Sequence, residues 1–176
     1  MKKITWFLLI TLLSGCGYTT RSMISNKFHT IYVTPFVNKI DITSEADAGS
    51  KYKLNRPMLE TDITRSVINR YIFDGNLKLA KEELADLVLK GEVVEFRKDA
   101  LRYLNNDIVS EYRINLVVNL TLLDKKEDKI IWQENNFTGD TTYFAQGSQQ
   151  KSEDTAVRDA LNDLARRVVE RTVEEW

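Results

Sequence analysis

Apolar and polar residues alternate most regularly along Ile108 to Leu123. Tyr112, Ile114, Leu116, Val118, Leu120 and Leu122 share one parity; Glu111, Arg113, Asn115, Asn119 and Thr121 take the other, and only Val117 breaks the polar set. A period of two sustained over this length predicts a strand with one buried and one wet face. Lys125-Lys126-Glu127-Asp128 makes a turn, and Lys129 to Thr138 returns as a strand with Ile130, Ile131, Trp132 and Phe137. Upstream, Leu87 to Arg97 reads as a strand whose apolar parity runs through Leu87, Leu89 and Val93 and then switches to Val94 and Phe96. That slip predicts a bulge, expected near Gly91. His29 to Phe36 is rich in β-branched and aromatic residues and is ended by Pro35, giving a first strand.

Two segments switch to helical spacing. Pro57 is suited to a first helical turn, Leu59, Ile63, Val67 and Tyr71 form a stripe with Ile68 and Ile72 alongside, and Asp74-Gly75 stops it. Ser152 caps a second helix with an acidic first turn (Glu153, Asp154) and a stripe of Val157, Leu161, Leu164, Val168 and Thr172. Between the first strand and first helix, Asn38 to Arg56 is a polar stretch of about 19 residues, read as a functional or disordered loop. The order β-α-β-β-β-α predicts an α+β two-layer sandwich. Its four-stranded mixed sheet combines an antiparallel meander with a right-handed crossover and carries two helices on one face.

The 176 residues are 43% hydrophobic and 29% charged, which suits one globular domain able to bury a core without disulfides. Lys and Arg total 25 against 26 Asp and Glu, and that balance argues against a nucleic-acid partner. The N-terminus changes the picture more. Lys2 and Lys3 precede an apolar run, Trp6 to Leu13, which is too short to span a bilayer and of signal-peptide length. Leu13-Ser14-Gly15-Cys16 then resembles the bacterial lipobox. On this reading residues 1–15 are a cleaved signal, 16–27 a lipidated tether, and 28–176 a single α+β domain. Cys16 is the only cysteine, so no internal disulfide is possible. Lipidation by a diacylglycerol and an N-acyl chain would account for the thiol and anchor the protein in a membrane, since several chains hold where one alone is marginal. Gly17 stands where Asp would favour inner-membrane retention, which points to the outer membrane.

Further segments carry a resemblance. Cys16-Gly17-Tyr18, Ile31-Tyr32-Val33-Thr34-Pro35-Phe36-Val37-Asn38-Lys39, Asp74-Gly75-Asn76-Leu77-Lys78-Leu79, Ala85-Asp86-Leu87-Val88-Leu89-Lys90-Gly91-Glu92-Val93 and Ser110-Glu111-Tyr112-Arg113 follow one another in an order and spacing that resemble the LptE family. Its members are lipopolysaccharide-assembly lipoproteins of the outer membrane. The 38–56 stretch is longer than the family pattern. The resemblance implies a periplasm-facing plug inside the β-barrel LptD, which helps the barrel assemble and contacts lipopolysaccharide on its way to the outer leaflet. A polar strand face suits a polar barrel lumen.

Lipopolysaccharide phosphates would call for Arg and Lys. Arg97, Lys98 and Arg102 are the most compact basic group on an ordered element, all expected to be exposed; ordinary solvated charge is the competing account. Arg113 beside Glu111 reads as a cross-strand charge neighbour.

Catalysis finds little support. His29 is the sole histidine, no second His or Cys stands at metal-ligand spacing, and the seven glycines form no phosphate-cradling loop. The expectation is a non-enzymatic protein without cofactor or metal. The alternative class is an envelope lipoprotein that activates a peptidoglycan synthase or builds a secretion channel, because similar opening strands follow lipoboxes there too.

Cys16→Ala should block lipid attachment and processing or release the domain from the membrane. Fractionation with mass analysis checks this: unchanged cleavage and retention in the outer-membrane fraction would rule out the lipobox.

Overall fold

A computed structural model describes residues 27–41, the strand backbone of 51–53, and residues 56–104 and 108–173. The signal segment, Cys16 and the tether up to residue 26 lie outside the described residues. The strands are β1 (Thr30–Val33), β2 (Val37–Asn38), β3 (Lys51–Lys53), β4 (Lys78–Leu79), β5 (Leu87–Tyr103), β6 (Val109–Asp124) and β7 (Lys129–Phe144). Among the described residues the α-helices are α1 (Leu59–Asp74) and α2 (Glu153–Val173), with a single 3-10 turn at Glu82–Leu84.

The sheet order is β4-β1-β5-β6-β7, with β2 and β3 pairing farther along β5. The α+β class with two helices packed on a mixed sheet is as expected, but among the described residues the sheet has seven strands rather than four. The three additions, β2, β3 and β4, are two or three residues each. No periodicity is visible over so few residues, and pairing to a longer neighbour is what makes them strands. β3 falls inside the expected 38–56 loop, with Lys51 to Lys53 antiparallel to Arg97 to Asp99. β1 and β5 are parallel neighbours, as a crossover through α1 requires, and β5, β6 and β7 form the antiparallel meander.

The core lies between the helices and one sheet face. Ile114, Leu116, Val118, Leu120 and Leu122 of β6 are fully buried there, beneath Leu59, Ile63, Val67 and Tyr71 of α1 and Val157, Leu161, Leu164 and Val168 of α2. Ile68 packs against this core only in part, and Ile72 faces outward. The two helices meet through the Tyr71 hydroxyl, which donates to Thr172 Oγ1 at 2.8 Å, while Thr172 donates to the Val168 carbonyl. Burial pushes the Tyr71 phenol well above its ordinary value.

Local chemistry sets the helix ends. Gly75 adopts φ 75° and its N–H donates to the Tyr71 carbonyl, ending α1. The start differs from expectation: Met58, at φ 61°, is the cap and Pro57 lies in the turn before it. Ser152 Oγ accepts the Thr155 N–H at 3.2 Å, capping α2 as its sequence indicates.

The register of β5 against β6 shifts between Val93 and Glu95, just beyond Gly91 and where the apolar parity slips, and again between Ala100 and Arg102 and between Arg102 and Tyr103. Gly91 stays in register opposite Leu120, and the Phe36 ring occupies the space where a side chain would project. Phe36 is itself held by its N–H donating to Thr64 Oγ1 at 2.9 Å. Thus the Pro35-Phe36 segment locks onto a glycine of β5 and a threonine of α1.

Leu116→Ala should cost about 2–5 kcal/mol, as large-to-small core changes do. Asn115, expected in solvent, is only 8% exposed on the open face, and its Nδ2 donates to Asp99 Oδ2 at 2.8 Å. Asn115→Ala should therefore cost about 1–3 kcal/mol rather than nothing. Urea unfolding of both variants checks this, and a silent Asn115→Ala would show that the Asn115–Asp99 bond contributes no net stability.

Candidate functional site

Strands and helices of similar residue count differ twofold in length. β5 has 17 residues and spans about 55 Å at roughly 3.3 Å per residue. α1 and α2, with 16 and 21 residues, reach about 24 and 32 Å at 1.5 Å per residue. α2 runs back along β7 from the level of Tyr143, where Glu153 lies, to the level of Glu134, where Arg171 lies. Beyond Tyr143 the β5–β6 hairpin continues without helix cover.

A compact cluster closes the covered region. Lys98 Nζ lies 2.7 Å from Glu153 Oε2 and 4.9 Å from the Tyr112 ring centroid. Tyr112 stacks on Tyr143 at 5.7 Å, and the Tyr143 hydroxyl donates to Glu153 at 3.4 Å. Burial first, then the Glu153 carboxylate, pushes the Tyr143 phenol up to about 12.

Past this cluster the hairpin exposes Leu101, Tyr103, Leu104 and Ile108, each close to half accessible, on both sides of the connection between β5 and β6. Their backbone is ordered by the Leu104 N–H donating to the Ile108 carbonyl at 2.8 Å and by Ser110 Oγ donating to the Arg102 carbonyl at 3.2 Å. Arg102 stands among them with a side chain 65% exposed, 3.5 Å from Glu111. The pair is long and its Arg side is open to solvent, although the Glu111 side chain is largely buried, so the guanidinium remains available to a stronger anion. Apolar side chains around an available cation match an amphiphile with an anionic headgroup.

The three basic residues singled out in the sequence do not form one patch. Arg97 and Lys98 are successive strand residues and point to opposite faces. Arg97 lies on the open face between Glu95 (2.9 Å) and Asp99 (3.1 Å). Lys98 lies on the helix side and is only 20% exposed. The expected exposure of all three is thus corrected for these two, whose charge is already met within the fold; Arg102 alone stands at the surface. Arg113 faces Asp140 at 3.7 Å, while Glu111 pairs with Arg102, so the expected charge neighbours exist across strands with different partners. Among the described residues, no group of three His, Cys, Asp or Glu is placed to hold a metal ion. Nor is any described helix long and apolar enough to cross a membrane.

Residues 28–172 match the LptE family model, described as lipopolysaccharide-assembly. The chain belongs to the LptE family. The match runs from the approach to β1 to the last turn of α2, so it covers the whole two-layer domain. Among solved structures the chain is similar to a Xanthomonas campestris protein of the DUF330 family, with TM-score 0.54 and 15% identity over 82% of this chain and 84% of that one. It is also similar to a hypothetical protein of Chlamydia trachomatis, with TM-score 0.51 and 15% identity over 82% of this chain and 95% of that one. At such identities the likeness is one of fold. No curated protein matches the chain.

Within this LptE fold the four apolar residues of the tip were missed by periodicity. Their signal is the failure of alternation in Leu101-Arg102-Tyr103-Leu104, just ahead of the turn formers Asn105-Asn106-Asp107. A strand that stops alternating has left its one-sided burial.

Lys98→Ser removes the bond to Glu153 and should lower stability by about 1–2 kcal/mol. Arg102→Ser should stay within about 0.5 kcal/mol. Urea midpoints for the two variants decide; equal losses would show that the tip and the covered sheet are one energetic unit.

Proposed function

We propose that this LptE-family protein is an outer-membrane lipoprotein. It is anchored through acyl chains on Cys16, faces the periplasm, partners the LptD barrel in its assembly, and contacts lipopolysaccharide as it is delivered to the outer leaflet. The uncovered hairpin tip is the observation that carries the lipid contact. Its exposed Arg102 provides charge-assisted hydrogen bonds for a lipid A phosphate, and Leu101, Tyr103, Leu104 and Ile108 provide an apolar surround. Arg97 and Lys98 act as scaffold, Arg97 pairing with Glu95 on the open face and Lys98 tying the sheet to Glu153 of α2. The open face supports the plug role. Glu95, Arg97, Asp99 and Asn115 pair with one another there, while Asp99 Oδ1 is left without a partner among the described residues, and a polar face of this kind suits a water-filled lumen.

Affinity purification from native outer membranes should recover a large β-barrel; recovery of a synthase or a homo-oligomeric ring instead would favour the alternative class. For the lipid contact, Arg102→Ser with Leu104→Ser should weaken lipopolysaccharide binding at least about tenfold, as loss of a charged hydrogen bond implies. The remaining binding should depend less on salt. Undiminished binding at matched stability would remove the tip as the site.

A further inference from the structure

The end of the domain opposite the hairpin tip has a surface of its own. β1 starts there, and the chain enters at Lys27, 3.5 Å from Asp124 and from Glu127 of the β6–β7 turn. β4 runs parallel to β1, so the segment ahead of it, including the last turn of α1, lies at the same end. The turn before β5 joins them, with Thr30 Oγ1 donating to Asp86 Oδ2 at 2.9 Å and lying 3.5 Å from the Leu84 carbonyl oxygen. At this end Phe73 is 80% exposed and Leu84 75% exposed, with Ile72 and Leu79 also open to solvent. The Arg70 guanidinium sits 5.3 Å from the Phe73 ring centroid, the pairing of cation and ring that favours an interface between water and hydrocarbon.

We propose that, before the domain enters the barrel, this end is a membrane-seating surface: Ile72, Phe73 and Leu84 enter the interfacial zone of the bilayer that holds the acyl chains of Cys16. This rests on the reading of Cys16 as the lipid carrier. Two observations select a bilayer as the occupant. The first is reach. Eleven residue steps separate Cys16 from Lys27 and extend at most about 40 Å. A domain standing on its hairpin tip would hold Lys27 about 50 Å or more above the surface, judged by the length of β5, so the tether cannot allow that orientation. The second is charge. The loops around the apolar residues carry both signs in balance, Lys81 beside Glu82 and Glu83, and Lys125, Lys126 and Lys129 beside Glu127 and Asp128. Such a rim matches zwitterionic phospholipid headgroups, and insertion is driven by the apolar side chains rather than by anionic lipid.

The lipidated protein in vesicles of phosphatidylethanolamine and phosphatidylcholine provides the test. Lipidation blocks the only native thiol, so Phe73→Cys and Leu104→Cys each give a single site for an environment-sensitive fluorophore, both at exposed positions that leave the core intact. Nitroxide-labelled phospholipid should quench the label at position 73 several-fold more than the label at position 104, and added anionic lipid should change the ratio little. Equal quenching at both positions, or more at 104, overturns the seating and leaves the patch to a protein partner. Intact mass reports the anchor separately: an unmodified Cys16 defeats the anchor reading and the seating with it, whereas a lipidated protein with equal quenching defeats the seating alone.

Discussion

The domain depends on a difference in rise per residue. A strand advances more than twice as far per residue as a helix, so helices of 16 and 21 residues cannot cover a meander of strands 16 or 17 residues long. Cover therefore has to stop part-way. It stops where Lys98, Tyr112, Tyr143 and Glu153 meet, a polar and aromatic seam that satisfies the last charges before the sheet runs on alone. Among the described residues beyond the seam, strand pairing is the main tie, helped by the Ser110 Oγ bond to the Arg102 carbonyl, and the apolar side chains have no helix to pack against.

The same mismatch gives the molecule two unlike ends. At the end where the chain enters, one carboxylate gathers several elements. Asp86 Oδ2 accepts the N–H groups of His29 and Thr30 and the Thr30 hydroxyl, while Oδ1 lies 2.7 Å from Lys126. The Lys126 ammonium foremost, acting against desolvation, and then these donors hold the Asp86 carboxyl well below the usual carboxylate range. A group so held is stabilising while ionised, and that contribution fades only as pH falls below the ordinary aspartate range of about 3.9. β1, the start of β5 and the β6–β7 turn are thereby fastened at one point, and the sheet edge next to β1 is closed by β4, whose Lys78 N–H donates to the His29 carbonyl. Among the described residues the other end is held by ladder bonds, the Ser110 Oγ bond to the Arg102 carbonyl and the Arg102–Glu111 ion pair. Rigidity at the entry end and exposure at the tip both follow from one-sided cover.

The far edge of the sheet is managed differently. β7 would present unpaired N–H groups, but Asp163 of α2 reaches over and accepts the Asp140 N–H at 3.1 Å, and Asn136 bends the strand with φ 57° while its N–H donates to Asn119. Gly139 lets α2 come this close, since a side chain there would collide with the backbone of Leu164. An edge bent and capped in this way resists pairing with another chain.

The sequence alone determined the elements whose cause is local. The stripe Leu59, Ile63, Val67, Tyr71, the stripe from Val157 to Thr172 and the alternation of Ile114 to Leu122 are all buried as their spacing indicates, because a period of 3.6 or 2 selects one face wherever the element ends up. The two-layer class and the family resemblance were legible for the same reason. Alternation also held the information that Arg97 and Lys98 diverge, although their adjacency in sequence suggested a patch. Only the tertiary structure decided the rest. β3 exists because β5 offers it a ladder, Asp86 reaches Thr30 across 56 residues, and Asn115 is buried by Asp99 on a face that polarity alone assigns to water. Gly91 is needed because Phe36, far away in sequence, fills the space where a side chain would project. Where helix cover ends, and so which apolar residues stay exposed, is set by packing lengths summed across separate segments, and no local period encodes that sum.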